Sequence, residues 1–136
     1  ASVEVVPFLY DMPSAISAAD VVVARAGAMT VAELTACGKP AILIPLPTAI
    51  YDHQAKNAKV MEDAGAALVI LQAGLSGSTL TQALIGILDA PDRMRAMGAA
   101  SLSLRRMDAA ESIVRECYAL IGDHHDIHQS LGAAGI

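Results

Sequence analysis

Residues 25–33, RAGAMTVAE, carry groups that could bind an anion where a buried strand passes into a helix. Gly27 would let the backbone turn sharply and let a ligand approach closely. The backbone N–H groups at the start of the helix suit a phosphate group, and they belong to Ala28, Met29, Thr30 and Val31. Arg25 would add a full positive charge. The stretch therefore predicts a phosphate site.

The same nine residues also have a purely structural interpretation. If the helix starts at Thr30, then Glu33 stands three places later, which is the spacing of a capping box. In that motif each of the two side chains satisfies a backbone N–H of the other residue. The spacing alone favours the capping box over the ligand site.

A second polar cluster lies in residues 45–58, PLPTAIYDHQAKNA. Pro45 and Pro47 should end a strand, and four polar residues crowd the first turn of the helix that follows: Asp52, His53, Gln54 and Asn57. His53 and Gln54 could reach a ligand at the mouth of the site, but the cluster could equally be an ordinary helix cap. Composition leaves both interpretations open.

Four short apolar runs must position these groups, and they predict strands at residues 3–8, 20–24, 41–45 and 67–71. Helical patterns separate them at about 12–18, with Asp11 as the N-cap, 30–37 and 52–64. This alternation predicts an α/β fold with a parallel sheet. Because ligands of such sheets bind at the carboxyl ends of the strands, both polar clusters should face one crevice.

Beyond residue 71 we expect helices at roughly 78–89, 91–104 and 108–121, with no further strand. Glycines should end two of the earlier helices, at Gly38 and Gly65. Residues 1–121 are then one Rossmann-like domain that lacks its first strands, because four strands are few for a doubly wound sheet. Residues 122–136 show no sustained period and predict a flexible tail.

Composition narrows the function classes. The chain has 136 residues, 54% of them hydrophobic but only 3% aromatic, and a formal charge of −5. Its scattered Lys and Arg residues argue against a nucleic-acid partner. Cys37 and Cys117 lack metal-ligand spacing and predict two buried free thiols in a reducing compartment. No motif indicates a metal or another cofactor, and no apolar run is long enough to span a membrane.

Several stretches together resemble the MurG family, the UDP-N-acetylglucosamine (UDP-GlcNAc) transferases that convert lipid I to lipid II in peptidoglycan synthesis. The resemblance covers residues 4–121 and rests on three patterns in this order: R-x-G-A-x-T-x-x-E, G-x-P-A-I-L-x-P-x-P and D-H-Q-x-x-N-A. EDAGAALVI and DAAESIV follow them. It implies the carboxyl-terminal, donor-binding half of a GT-B glycosyltransferase, in which two Rossmann-like domains face each other across a cleft.

The resemblance also implies roles for individual residues. Leu9 falls where the family binds uracil through backbone groups, and Glu33 where a carboxylate holds the ribose hydroxyls. Ala28, Met29 and Thr30 fall where a helix start meets the diphosphate, with Arg25 and Gly27 beside them; Thr30 then keeps the capping role. Gln54 and His53 fall where the family contacts the GlcNAc hydroxyls, and Asn57 of the same motif is included among the substrate-binding residues.

The sequence also departs from the family pattern in two features. The glycine-rich G-G-S-x-G-A loop and the amino-terminal domain, with its lipid I site and proposed catalytic base, are absent from this sequence. We therefore expect a fragment or a split-gene product that is inactive alone and carries no catalytic residue. The family's transfer is inverting and its enzymes act as peripheral proteins at the cytoplasmic face of the bacterial inner membrane.

Two other functions remain at this stage. The chain could be the non-catalytic donor-binding subunit of a two-chain GlcNAc transferase, paired with a separate membrane-bound chain. A flavodoxin-like signalling or interaction domain is also conceivable, but it would need acidic residues clustered at the end of the first strand, where only Asp11 is near.

Overall fold

The computed structural model describes residues 2–47 and 52–121, which fall into two compact units that divide after Arg105. The first unit contains three strands: β1 (Val22–Ala24), β2 (Ala41–Leu43) and β3 (Ala67–Val69). Its helices are α1 (Met12–Ala18), α2 (Ala28–Cys37), α3 (His53–Asp63), α4 (Gly77–Leu88) and α5 (Pro91–Ser103), with a 3₁₀ turn at Gln72–Gly74. The described part of the second unit contains α6 (Ala109–Ile121).

The three strands form one parallel sheet in the order β1-β2-β3. Val22 lies opposite Ala41 in the register of the first pair, and Ala41 lies opposite Ala67 in the second. Since α2 connects β1 to β2 and α3 connects β2 to β3, each connection is a βαβ unit. The predicted α/β fold with a parallel sheet is confirmed, although each of these strands is shorter than its apolar run.

The central strand β2 separates two hydrophobic cores. Ala41 and Leu43 pack with α1, α2 and α3, through residues such as Leu34 and Met61. Ile42 and Ile44 belong to a second cluster with side chains of α4 and α5. This alternation follows the two-residue period of a strand, and residues 41–45 are all buried, as expected of a strand covered on both faces.

The prediction of a strand at residues 3–8 is wrong. These residues form no strand, and Val3 and Val5 are 87% and 88% exposed. Alternating β-branched residues favour an extended chain, but a strand forms only where a neighbour completes its hydrogen-bond ladder. Within the part of the chain that the structure describes, β1 pairs only with β2, and Pro7 has no N–H to donate.

The start of α2 also differs from the prediction. The helix begins at Ala28 with Gly27 as its N-cap, and no side chain caps it. Thr30 is therefore the third residue of the helix, and the capping box with Glu33 is not formed. The residues Ala28 and Met29 extend the helix because neither disfavours it.

The predicted glycine stops are confirmed. Gly38 (φ +61°) and Gly65 (φ +75°) both adopt the left-handed conformation at the ends of α2 and α3. Lys39 N donates to Leu34 O at 3.0 Å, and Ala66 N donates to Met61 O at 2.8 Å. Asp11 caps α1 as predicted, because its Oδ1 accepts a hydrogen bond from Ser14 N at 3.1 Å.

In the second unit, α6 is preceded by Asp108 and carries an exposed ion pair between Arg115 and Glu111. Both cysteines are free, but the prediction that both are buried is wrong, since Cys117 is exposed and Cys37 is half-buried. The predicted tail, residues 122–136, lies outside the described residues. None of the described helices is long and apolar enough to cross a membrane.

Candidate functional site

The start of α2 lies directly after the carboxyl end of β1. Its first backbone hydrogen bond runs from Val31 N to Gly27 O at 3.0 Å. The N–H groups of Ala28, Met29 and Thr30 precede that bond and so stand outside the helical ladder. Since helix dipoles leave partial positive charge at this end, the three N–H groups are suited to a phosphate, as predicted; that they bind one stays a prediction.

Gly27 has no conformational need to be glycine. Its φ of −64° and ψ of 150° are open to any residue, so the predicted need for a sharp turn is wrong. Among the atoms of residues 2–47 and 52–121, a Cβ placed on Gly27 would meet only Thr30 Oγ1, at an ordinary 3.7 Å. No other described residue fills the space above Gly27, so a closely approaching ligand remains a reason for the missing side chain.

A pocket of about 410 Å³ runs along β1 between α1 and the first turns of α2. It brings together three of the predicted site residues: Leu9, Thr30 and Glu33. Most of the remaining wall is apolar and comes from α1 and β1. Thr30 and Glu33 are half-buried, while Leu9 is exposed. The pocket thus offers one carboxylate and one hydroxyl in an otherwise apolar lining, beside the helix start.

Arg25 joins the ends of two strands. Its Nη1 donates to Ile44 O at 3.1 Å and lies 3.5 Å from Pro45 O. The guanidinium therefore fastens the segment after β1 to the end of β2. A guanidinium has further N–H groups. The contact with β2 therefore neither supports nor excludes the predicted interaction of Arg25 with a phosphate.

Gln54 and Asn57 also make contacts within the protein. Gln54 Oε1 accepts a hydrogen bond from Leu46 N at 2.9 Å, and Asn57 Nδ2 donates to Ala26 O at 3.0 Å. Together with Arg25, these two side chains tie the ends of β1, β2 and the first turn of α3 into one rim. That rim surrounds the mouth predicted for the ligand.

His53 is the first residue of α3 and is exposed. Asp52 is its N-cap residue in the left-handed conformation (φ 54°), and it makes no side-chain cap bond. A short polar residue such as aspartate adopts this conformation more readily than most. The interpretation of the cluster as an ordinary cap is therefore not supported at Asp52, and the proposed sugar contact of His53 stays a prediction.

Sequence reasoning missed the wall that α1 provides. Met12, Ala15 and Ile16 line the pocket, and the only sequence signal was the apolar side of a short helix. It also missed the tie from Asn57 to Ala26, for which no sequence signal exists because the two residues are 31 positions apart.

A larger cavity, about 500 Å³, lies at the opposite rim. It is formed by the end of α2 and by α5, and its polar lining includes Lys39 and Arg95. Ligands of parallel sheets bind at the other edge, so this cavity is not the candidate site. Over residues 2–47 and 52–121, no group of three or more His, Cys, Asp or Glu side chains could hold a metal ion.

Comparison with known proteins agrees with this fold. Two curated relatives, from Geobacter sulfurreducens and Methylococcus capsulatus, are both named UDP-N-acetylglucosamine--N-acetylmuramyl-(pentapeptide) pyrophosphoryl-undecaprenol N-acetylglucosamine transferase. They are 48% and 49% identical over 116 and 111 residues, which are 85% and 82% of this chain. The chain spans about a third of their length, 32% and 31% respectively.

A solved structure, that of Acinetobacter baumannii MurG, matches with a TM-score of 0.75 and 36% identity over 82% of this chain and 32% of that one. These matches confirm the resemblance to the MurG family and the Rossmann-like fold of its carboxyl-terminal GT-B domain. Residues 1–113 match the glycosyltransferase family 28 C-terminal domain. Because that match takes in most of the chain, the chain belongs to the family of glycosyltransferase family 28 C-terminal domains.

Proposed function

We propose that this chain supplies the UDP-GlcNAc-binding part of an enzyme that transfers GlcNAc from UDP-GlcNAc to lipid I. The names of the relatives from Geobacter sulfurreducens and Methylococcus capsulatus describe a GlcNAc transfer to an N-acetylmuramyl-pentapeptide pyrophosphoryl-undecaprenol. Since the chain spans about a third of each relative, we assign to it one substrate, the sugar nucleotide, and not the whole reaction.

The observation that carries the proposal is the placement of the pocket beside the start of α2. A pocket of about 410 Å³ is within the usual range of roughly 300–1,000 Å³ for small-molecule sites. Its apolar wall suits a base, and the carboxylate of Glu33 can accept hydrogen bonds from two ribose hydroxyls. The N–H groups of Ala28, Met29 and Thr30 suit the diphosphate.

The same arrangement fits a role in the transfer step. The C4 hydroxyl of the lipid I N-acetylmuramyl group gives its proton to a base outside this chain and attacks the anomeric carbon of GlcNAc, while the bond from that carbon to the UDP oxygen breaks, which inverts the configuration. Negative charge then grows on the leaving diphosphate. The fixed N–H groups at the start of α2 would stabilise that charge electrostatically. We assign no catalytic acid or base to this chain.

The proposal also includes a location. Lipid I is a membrane lipid, so the enzyme would act at the cytoplasmic face of the inner membrane as a peripheral protein. Contact with the lipid and its membrane would come from parts of the enzyme outside this chain, and no nucleic acid or cofactor is needed.

Isothermal titration calorimetry tests the proposal directly. UDP-GlcNAc, UDP and UDP-glucose are titrated into the chain and into its Glu33→Ala variant. Loss of a hydrogen-bonding carboxylate should weaken both UDP and UDP-GlcNAc by about 10- to 100-fold, because the ribose is common to both. Glu62→Ala is the matched control, since Glu62 is an exposed carboxylate on α3 at the opposite rim. Absence of UDP-GlcNAc binding by the folded chain would contradict the proposal.

Gly27→Ala is a second, independent test of the diphosphate position. The added methyl group meets no atom of the described residues closer than 3.7 Å, so the unfolding transition should change little. A diphosphate in contact with the helix start would be displaced by the same methyl group, and the affinity for UDP should fall. A variant that binds UDP as the parent chain does would place the diphosphate elsewhere.

A further inference from the structure

Asn57 makes a long-range side-chain hydrogen bond at the candidate site. Its Nδ2 donates to Ala26 O at 3.0 Å across 31 positions of sequence. Ala26 is fully buried and Asn57 is half-buried. A buried carbonyl oxygen needs a hydrogen-bond donor, and the Asn57 amide supplies one.

The position of this carbonyl gives the bond its importance. Ala26 O belongs to the peptide unit that links Ala26 to Gly27, and Gly27 is the N-cap of α2. Glycine permits more backbone rotation than any other residue, so a hydrogen bond from outside the segment helps to keep this peptide unit in one orientation. Because α2 begins at the far end of this peptide unit, holding the unit in place helps to hold the first N–H groups of α2 in place at the rim.

We propose that Asn57 is a positioning residue, which holds the start of α2 in the orientation that receives the diphosphate. The inference rests on the proposed function, and it replaces the expectation that Asn57 itself contacts the substrate. The Asn57 amide acts on the nucleotide through Ala26 and Gly27. Arg25, one residue earlier, fastens the same segment to the end of β2 through Ile44 O at 3.1 Å.

A role of Asn57 in positioning the helix start and a role in contacting the sugar would affect different ligands. A positioning residue of the diphosphate site acts on UDP and UDP-GlcNAc alike, because both carry the diphosphate. A residue that contacts a GlcNAc hydroxyl acts on UDP-GlcNAc alone. The affinities of the two ligands therefore separate the roles.

The variant for this test is Asn57→Asp, which keeps the shape of the side chain but removes the amide donor. Its affinities for UDP and for UDP-GlcNAc should fall by the same factor, about five- to tenfold, the size expected for one lost hydrogen bond. Lys56→Ala, on the neighbouring exposed residue of α3, is the control and should bind both ligands as the parent chain does. A loss confined to UDP-GlcNAc would overturn the inference in favour of a sugar contact.

Nuclear magnetic resonance of the ligand-free protein gives a readout that does not depend on binding. In Asn57→Asp the backbone amide resonances of Ala28, Met29 and Thr30 should shift, whereas those of β3 should not. Unchanged resonances at the start of α2 would overturn the inference. If the parent chain binds no UDP, the proposed function fails, and these spectra still decide whether Asn57 orients the helix start.

A measurement on the parent chain covers the case in which the variant does not fold. The Asn57 side-chain amide resonance is followed while UDP and then UDP-GlcNAc are added. Positioning predicts the same resonance in both complexes, because the amide keeps its bond to Ala26. A shift that appears only with UDP-GlcNAc would show a sugar contact and overturn the inference.

Discussion

The side-chain oxygen of Gln54 lies 2.9 Å from the backbone nitrogen of Leu46 and accepts its hydrogen bond. This contact fastens the first turn of α3 to the chain that leaves β2. The oxygen of this predicted sugar-binding residue is thus engaged within the protein. The NH₂ group of the Gln54 side chain can still donate a hydrogen bond to a ligand.

Gln54→Glu should separate the contact with Leu46 from the donation of a hydrogen bond to a ligand. The carboxylate can still accept the hydrogen bond from Leu46, so the free energy of unfolding should stay within about 0.5 kcal/mol of the parent. The NH₂ donor is lost, and the preference for UDP-GlcNAc over UDP should fall. Gln54→Met loses both groups and should also lower stability by about 1 kcal/mol. Urea unfolding and calorimetry measure the two effects; an unchanged preference in both variants would exclude the sugar contact.

Thr30→Ala should have little effect on stability, because Thr30 is inside α2 and does not cap it. We expect a change below about 0.5 kcal/mol in the free energy of unfolding, measured in urea. Ser76→Ala is the matched comparison: Ser76 Oγ accepts a hydrogen bond from Thr79 N at 3.0 Å as the N-cap of α4. Its loss should cost about 1 kcal/mol. Equal costs for both variants would indicate that Thr30 caps after all.

Gly98→Ala should destabilise the fold. A Cβ on Gly98 would come within 2.9 Å of the backbone oxygen of Gly38, so α5 would have to move away from the end of α2, at a cost of about 1–3 kcal/mol. Among the residues that the structure describes, Gly86→Ala, in α4, would meet only the tip of Arg93 at 3.7 Å. It should stabilise by about 0.5–1 kcal/mol, since alanine favours a helix over glycine. Thermal unfolding of the pair tests the predicted opposite signs.

Acid should weaken the cap of α1. Hydrogen bonds from the Ser14 hydroxyl and then from its backbone N–H hold the pKa of Asp11 below its ordinary value. Because the folded-state pKa is the lower one, the ionised cap stabilises the fold above about pH 4 and this contribution disappears as the pH falls through the folded-state pKa. The difference in unfolding midpoint between the parent and Asp11→Ala should therefore shrink in acid. A difference that stays constant from neutral pH to about pH 2 would argue against the ionised cap.

The sequence predicted the parallel sheet, its three described strands and the helices, because strand and helix periods are local properties. It failed at residues 3–8, where the β-branched pattern is present but no described strand completes the ladder. It also failed at the start of α2, because Thr30 and Glu33 have capping-box spacing while the helix begins two residues earlier.

The candidate site could be predicted only in part, for a physical reason. Glu33 and the N–H groups of α2 follow from their place after a strand. The contacts of Arg25, Gln54 and Asn57 could not be foreseen, because each pairs with a backbone group and not with another side chain. Backbone partners leave no residue type in the sequence by which to recognise them.

The position of β2 between two cores has a consequence for how the domain opens. Each face of this strand is packed against a different helical layer, so β2 loses its cover completely only when both layers separate. Amide hydrogen exchange should therefore be slowest in β2, with protection close to that of global unfolding. We therefore expect the rigidity of the rim around the candidate pocket to depend on both helical layers, including α4 and α5, which lie outside the pocket.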